Sequence, residues 1–155
     1  MLTPVKKQQV RRSRGSFAII ASRYNARYVD AMVAAAEHQL KEAGARGIRV
    51  IRVPGAFEIP AVAARLAGAV PRCSALICLG VILRGQTAHA QLIADALSGA
   101  LAQLQVQHAL PVIHEVLLLE NEAQAVVRCL GKKHNRGAEA AQTALEMERI
   151  MASLP

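Results

Sequence analysis

The chain has 155 residues, 53% of them hydrophobic, and a formal charge of +8. That length suits one domain of ordinary size, and the apolar share is enough for a real core. No run of eighteen apolar residues is present to span a membrane, and Lys6, Lys7, Arg11, Arg12 and Arg14 interrupt any apolar signal core near the start, so a cytoplasmic protein is expected.

Those same cations mark residues 1–15 as a basic N-terminal arm, and residues 16–155 then read as a single α/β domain. The run Phe17-Ala-Ile-Ile-Ala21 predicts a buried strand, and Asn25 is placed to cap the helix that follows. That helix carries Val29, Met32, Val33, Ala36 and Leu40 at three-to-four spacing and stops at Gly44. Ile48–Val53 predicts a second strand, halted by Pro54-Gly55, and Pro60 can sit in the first turn of a second helix. Ser74–Leu79 predicts a third strand, with Gly80 and Gly85 in the turn after it and a long helix from near Ala88. Ile93, Leu97, Ala100 and Leu104 are that helix's apolar stripe. A fourth strand follows over Pro111–Leu117, then a short helix with Asn121 and Gln124 as its capping pair. The basic loop Gly131–Gly137 leads to a last helix with Ala140, Ala144, Met147, Met151 and Leu154 on one stripe.

Strands alternating with helices imply a four-stranded parallel, flavodoxin-like sheet in a three-layer sandwich. Right-handed crossovers put the strand-to-helix loops at one edge, where ligands of such sheets bind. The rule gathers Tyr24, Gly55–Glu58, Gly80–His89 and His114–Leu118 into one region.

The stretch from Gly80 to His89 organises that region. Thr87 can cap the third helix, and the amides of Gly85, Gln86 and Thr87 can hold an anion at its positive end. His89 follows them, and imidazole titrates near neutral pH. The stretch also spells G-x-x-x-x-G-Q-T, one residue from a phosphate-binding P-loop. Gln86 stands where that motif needs lysine, and Val81, Ile82 and Leu83 are bulky, so nucleotide hydrolysis is disfavoured. Tyr24 offers a flat face for stacking, or simply packs. Glu58 can accept hydrogen bonds from a polyol or an amine, or compensate charge at a helix start. Arg128 can complete a phosphate site if packing or a neighbouring chain brings it there.

Cys73, Cys78 and Cys129 are odd in number and lack C-x-x-C spacing, against both a disulfide framework and a zinc site. Alanine-rich helices also tend to leave apolar faces for partner subunits.

Five segments resemble those of lumazine synthases: Arg23-Tyr-Asn25, Val53-Pro-Gly-Ala-Phe-Glu-Ile-Pro60, Gly80–His89, Leu119-Glu-Asn-Glu-Ala-Gln-Ala125 and Asn135-Arg-Gly-Ala-Glu-Ala-Ala141. They occur in order from about residue 16 to residue 152, and P-G-A-F-E-I-P together with R-G-x-T-x-H is a highly specific pair. The resemblance implies condensation of 5-amino-6-(D-ribitylamino)uracil with 3,4-dihydroxy-2-butanone 4-phosphate to 6,7-dimethyl-8-ribityllumazine, in riboflavin biosynthesis, with no metal or redox cofactor. It implies that Tyr24 stacks on the pyrimidine, that Ala56, Phe57 and Glu58 hold the ribityl chain, and that Val81 and Ile82 read the uracil edge. Gly85, Gln86 and Thr87 match the phosphate-side loop, Arg128 an arginine that binds phosphate from the neighbouring subunit, and His89 the proton-transfer residue. Arg136 stands at a common lysine, a possible further site residue. His114, expected with the pyrimidine- and ribityl-binding residues, replaces a usual phenylalanine at the subunit boundary, Glu115 is also unusual, and Ala90 replaces a common aromatic. Two small-molecule substrates and a homo-oligomer are implied, either a pentamer or a shell of pentamers with sites between neighbours.

The arm and the +8 charge support one rival, a nucleic-acid-binding protein. Nucleic acid is disfavoured because no recognition motif is present and two Phe, two Tyr and no Trp are poor provision for base stacking. A third reading is a shell protein without catalysis, suggested by His114 and Ala90.

Overall fold

The computed structural model describes residues 12–155, so most of the basic arm lies outside the described residues. Four strands are present: β1 (Ser16–Ser22), β2 (Gly47–Val53), β3 (Ala75–Leu83) and β4 (Val112–Leu119). The helices are α1 (Ala26–Glu42), α2 (Ile59–Ala67), α3 (His89–His108), α4 (Glu122–Ala125) and α5 (Arg136–Ser153). A 3-10 turn, Ala56–Glu58, precedes α2, and a π-helical segment, Val126–Leu130, continues α4.

All strand pairs are parallel and the order is β2-β1-β3-β4, so the expected four-stranded parallel sheet is present. Residues Phe17–Ser22 and Ala75–Val81 are buried on both faces, as the continuous apolar runs of inner parallel strands require. β2 is an edge and carries Arg49 and Arg52. On one face, α1 and α5 bury Met32, Leu40, Ala140 and Ala144 against Phe17, Ile19, Ile77 and Leu79. On the other, α2 and α3 bury Ile59, Leu66, Leu97 and Leu101 against Ile20 and Leu76. Helix layers on both faces of the sheet make the three-layer α/β sandwich.

Local detail departs from the sequence expectations at several points. β3 does not stop at Leu79, because Gly80 continues the strand opposite Val116. A Cβ there would lie 3.1 Å from both Ser22 Oγ and Val116 Cγ1, so the glycine serves close packing inside the sheet and no turn. Gly137 lies inside α5, where a Cβ would overlap the Met32 main chain, so α1 and α5 meet at glycine. Leu154 is past the end of α5 and exposed. In α3 the buried line is Ala90, Leu97 and Leu101, because that helix carries apolar residues nearly all round, with Leu92 and Val106 exposed. Asn121 accepts from the Gln124 N–H at 3.0 Å, while Gln124 Oε1 accepts from the Glu120 N–H, one residue earlier than a reciprocal box would place it.

Ser13 is buried, and its N–H donates to the Ala43 carbonyl at 2.7 Å. Cys78 is buried in β3, and burial pushes its thiol up to about 12, which leaves it a small inert hydrophobe. No helix among the described residues is long and apolar enough to cross a membrane.

Candidate active site

The order β2-β1-β3-β4 reverses direction between β1 and β3, and a crevice opens outside their carboxyl ends. It has a volume of about 710 Å³. Tyr24 and Asn25 after β1, Gly55–Glu58 after β2, Val81–Leu83 at the end of β3 and His89, Leu92 and Ile93 of α3 line it.

Backbone hydrogen bonds brace the walls. The Arg23 and Tyr24 amides donate to the Pro54 carbonyl at 3.3 and 3.2 Å, joining the loops after β1 and β2. Asn25 is the N-cap position of α1, but its side chain does not cap the helix as expected. It holds a left-handed backbone, φ 57°, and its Nδ2 donates to the Val81 carbonyl at 2.7 Å. That bond spans the reversal point of the sheet.

Glu58 Oε2 accepts from the Gly55 N–H at 2.8 Å, which fixes the carboxylate at the crevice wall. Gly55 is needed there: a Cβ would lie 2.9 Å from Glu58 Oε2 and 3.2 Å from the Tyr24 ring. The Tyr24 ring, 72% exposed, and Phe57, 60% exposed, therefore present two aromatic faces on one wall. Flat apolar faces that remain open to solvent are suited to stacking a heteroaromatic ring. The carbonyls and amides at the end of β3 offer edge hydrogen bonds beside them.

Thr87 is not the N-cap of α3, since Ala88 holds that position without a side-chain bond. The Thr87 hydroxyl instead accepts from the His89 N–H at 3.4 Å, so the segment turns once more before the helix begins. Gly85, Gln86, Thr87 and His89 are all exposed. Arg84 anchors the start of this loop: Nε donates to Glu120 at 2.9 Å and an Nη to Gln91 at 2.8 Å. Only His89 of this group lines the crevice.

His114 and Glu115 lie elsewhere. His114 pairs with Cys78 in mid-sheet, so it is not at the carboxyl edge where the loop rule had gathered it. Its Nδ1 accepts from the Val116 N–H at 3.1 Å, and its Nε2 is 2.8 Å from Ser98 Oγ on α3. An accepting Nδ1 leaves the proton on Nε2, which then donates to Ser98, so this pair cannot activate the serine as a nucleophile. Partial burial against α3 pushes the His114 pKa below its ordinary value, and protonation would set two donors face to face at Val116. Arg128 is on the π-helical segment and Arg136 starts α5; neither lines the crevice.

Seven of the substrate-binding and catalytic residues expected from the resemblance therefore line one crevice: Tyr24, Ala56, Phe57, Glu58, Val81, Ile82 and His89. Sequence reasoning missed the tether made by Asn25 and the place of exposed Leu92 in the crevice lining. Helical spacing from His89 was the available signal for Leu92 and Ile93. The family model described as 6,7-dimethyl-8-ribityllumazine synthase matches residues 14–152. The chain belongs to that family. It is 43% identical over 141 residues to the 6,7-dimethyl-8-ribityllumazine synthase of Stenotrophomonas maltophilia (strain R551-3), covering 90% of each chain. The synthase of Xylella fastidiosa (strain M12) is likewise 43% identical, over 90% of this chain and 91% of its own. That of Xanthomonas oryzae pv. oryzae (strain PXO99A) gives the same identity and coverage. The matched span takes in every residue of the crevice wall, so fold, crevice and family coincide on one stretch of chain.

Proposed function

We propose that this protein is a 6,7-dimethyl-8-ribityllumazine synthase whose crevice between β1 and β3 binds the ribitylaminouracil. The carrying observation is the convergence of Tyr24, Phe57, Glu58, the Val81–Ile82 backbone and His89 on one 710 Å³ cavity. Tyr24 stacks on the pyrimidine, the end of β3 reads its edge, and the Ala56–Glu58 turn, with its fixed carboxylate, holds the ribityl hydroxyls. An amine of this substrate attacks the ketone of 3,4-dihydroxy-2-butanone 4-phosphate. That condensation loses one water, phosphate is then eliminated, and the second amine closes the ring with loss of a second water. His89 moves protons between amine, carbonyl and leaving group, as a positioned general acid–base does. Holding both reactants together supplies much of the remaining acceleration.

The phosphate half of the site needs a second chain in this reading. Gly85, Gln86 and Thr87 join two stretches of the crevice lining, Val81–Leu83 and His89, while Arg128 and His114 lie outside that lining. Exposed Leu92, Val126 and Val127 offer apolar surface for a neighbour, which brings its own Arg128 and His114 to the site. A pentameric ring, alone or within a larger shell, satisfies this arrangement.

A turnover assay with both substrates, following the absorbance of the lumazine product, tests the reading. Product at a rate above the uncatalysed condensation is expected. No acceleration from a folded oligomer would overturn it.

A further inference from the structure

The turn between β3 and α3 has little of its own to hold its shape. Residues 84–89 are all exposed, and a Cβ on Gly85 would meet nothing within 4 Å. Among the described residues, the hydrogen bonds of residues 85–88 stay within the turn and the start of α3. Thr87 Oγ1 accepts from the His89 N–H, and the Ala88 carbonyl accepts from the Leu92 N–H. The conformation of such a loop is set at its two ends.

One side chain holds both ends. Arg84 is the first residue past β3, and its main-chain N–H donates to the Leu119 carbonyl at 2.8 Å. Its Nε donates to Glu120 Oε1 at 2.9 Å and its Nη2 to Gln91 Oε1 at 2.8 Å. Gln91 is in the first turn of α3, so the second bond closes the loop across residues 85–90. Both partners are anchored in turn. Gln91 Nε2 donates to Asp95 Oδ1 at 2.8 Å, which sets the amide with its carbonyl to the cation and its amino group to the carboxylate. The Glu120 N–H donates to Gln124 Oε1 at 3.0 Å, which ties Glu120 to α4.

An arginine beside a phosphate-side loop invites a role as phosphate ligand, because its fork matches that anion. Here Nε and Nη2 are already committed, and a phosphate arriving on that edge would displace one carboxylate and meet its charge. We propose that Arg84 is a positioning residue. It closes the loop between β3 and α3 and so sets the spacing of the Gly85, Gln86 and Thr87 amides that receive the substrate's phosphate. The inference rests on the proposed function for the identity of that anion. A partly exposed pair of this kind contributes little to stability, so its removal leaves the fold standing. What is lost is the ordering of the loop before the anion arrives, and that cost falls on binding.

Calorimetry with inorganic phosphate on the assembled protein reads the loop apart from turnover, and KM for the phosphate-bearing substrate reads it within the reaction. Arg84→Met and Gln91→Met should each weaken phosphate binding and raise that KM by about threefold to tenfold, the worth of one lost hydrogen bond. The double variant should lose no more than Arg84→Met alone, because both substitutions cut the same bond. Arg84→Lys keeps the charge without the fork and should be impaired like Arg84→Met. His89 is held by α3 itself, so kcat should change little, as should affinity for a non-reactive ribityl-pyrimidine. Phosphate binding that is absent from wild type, unchanged in Arg84→Met or fully kept in Arg84→Lys overturns the inference. Additive losses in the double variant, or an equal loss of ribityl-pyrimidine affinity, overturn it as well. Absence of wild-type turnover alongside the expected phosphate series would instead count against the proposed function.

Discussion

Asn25 donates through Nδ2 to the main-chain carbonyl of Val81 at 2.7 Å, tying the loop after β1 to the carboxyl end of β3. Asn25 and Val81 both line the crevice, as do Tyr24 and Gly55, whose close approach leaves no room for a side chain at Gly55. Asn25 does this from a left-handed backbone, which asparagine tolerates better than most residues. Two substitutions separate the effects. Asn25→Gly keeps the backbone and loses the bond, a cost of about 1 kcal/mol. Asn25→Ala adds left-handed strain of about 1–2 kcal/mol more. Denaturant unfolding should rank wild type, glycine and alanine in that order. Both variants should also weaken binding of a non-reactive ribityl-pyrimidine. Equal binding by all three would detach the tether from the site.

Gly137 and Met32 mark the closest approach of α1 and α5. A Cβ on Gly137 would overlap the Met32 carbonyl, and main chain on both sides leaves no flexible atom to yield. Gly137→Ala should cost about 1–3 kcal/mol or more by overpacking, whereas alanine at exposed Gly99 on α3 meets nothing within 4 Å and should stabilise by several tenths of a kcal/mol. Thermal unfolding of the two variants, expected to shift in opposite directions, checks the helix contact.

The contrast between those glycines explains what was legible. Strand and helix identities follow from local pattern: Phe17–Ala21 and the Val29–Leu40 stripe carry their periods openly. Gly80 and Gly137 read as turn and loop residues, because glycine's usual signal is conformational. Their actual cause is a neighbour distant in sequence, Val116 or Met32. The crevice wall was legible because parallel topology sends consecutive loops to one edge. His114 was misplaced by the same rule, since a strand's length decides how far a residue sits from that edge, and strand ends are blurred in sequence. Asn25 looked like a cap because its bond partner, Val81, is 56 residues away.

Glu115 and His114 give the fold opposite responses to pH. The folded pKa of Glu115, about 7, is above its ordinary 4.5, so between those values the folded state binds more protons than the unfolded chain. Stability therefore falls as pH rises through that window, and the cost is complete above about 7, amounting to about 3 kcal/mol. His114 is lowered from 6.5, so its neutral form favours folding, and that contribution is lost as pH falls below 6.5. Glu115→Gln leaves the histidine term in place. Its stability relative to wild type should therefore be greater at pH 8 than at pH 4, by about 3 kcal/mol. Urea unfolding at the two pH values measures it, and an unchanged difference would remove Glu115 as a buried titrating group.

Arg128 and His89 separate by location: the histidine lines the crevice and the arginine does not. If a neighbour supplies the arginine, each site draws on two chains. Arg128→Ala and His89→Ala should then each be impaired alone, and co-expressed mixtures should recover activity through hybrid interfaces that hold both intact residues. Mixtures as impaired as the parents would confine the site to one chain.

His89 itself is exposed at the first turn of α3, with its N–H donated to Thr87 and its side chain at the crevice wall. Removing it should leave the walls standing, because the bracing bonds run through Asn25, Gly55 and the Pro54 carbonyl. General acid–base groups contribute about a hundredfold to ten-thousandfold. Here holding the two reactants together carries part of the acceleration. His89→Ala should therefore lower kcat by about tenfold to a hundredfold, at or below the lower end of that range. Affinity for a non-reactive ribityl-pyrimidine should change little, which separates proton transfer from binding. Turnover unaltered across the pH range, in a variant that still assembles and binds, would take His89 out of the mechanism and leave the crevice a site of proximity alone.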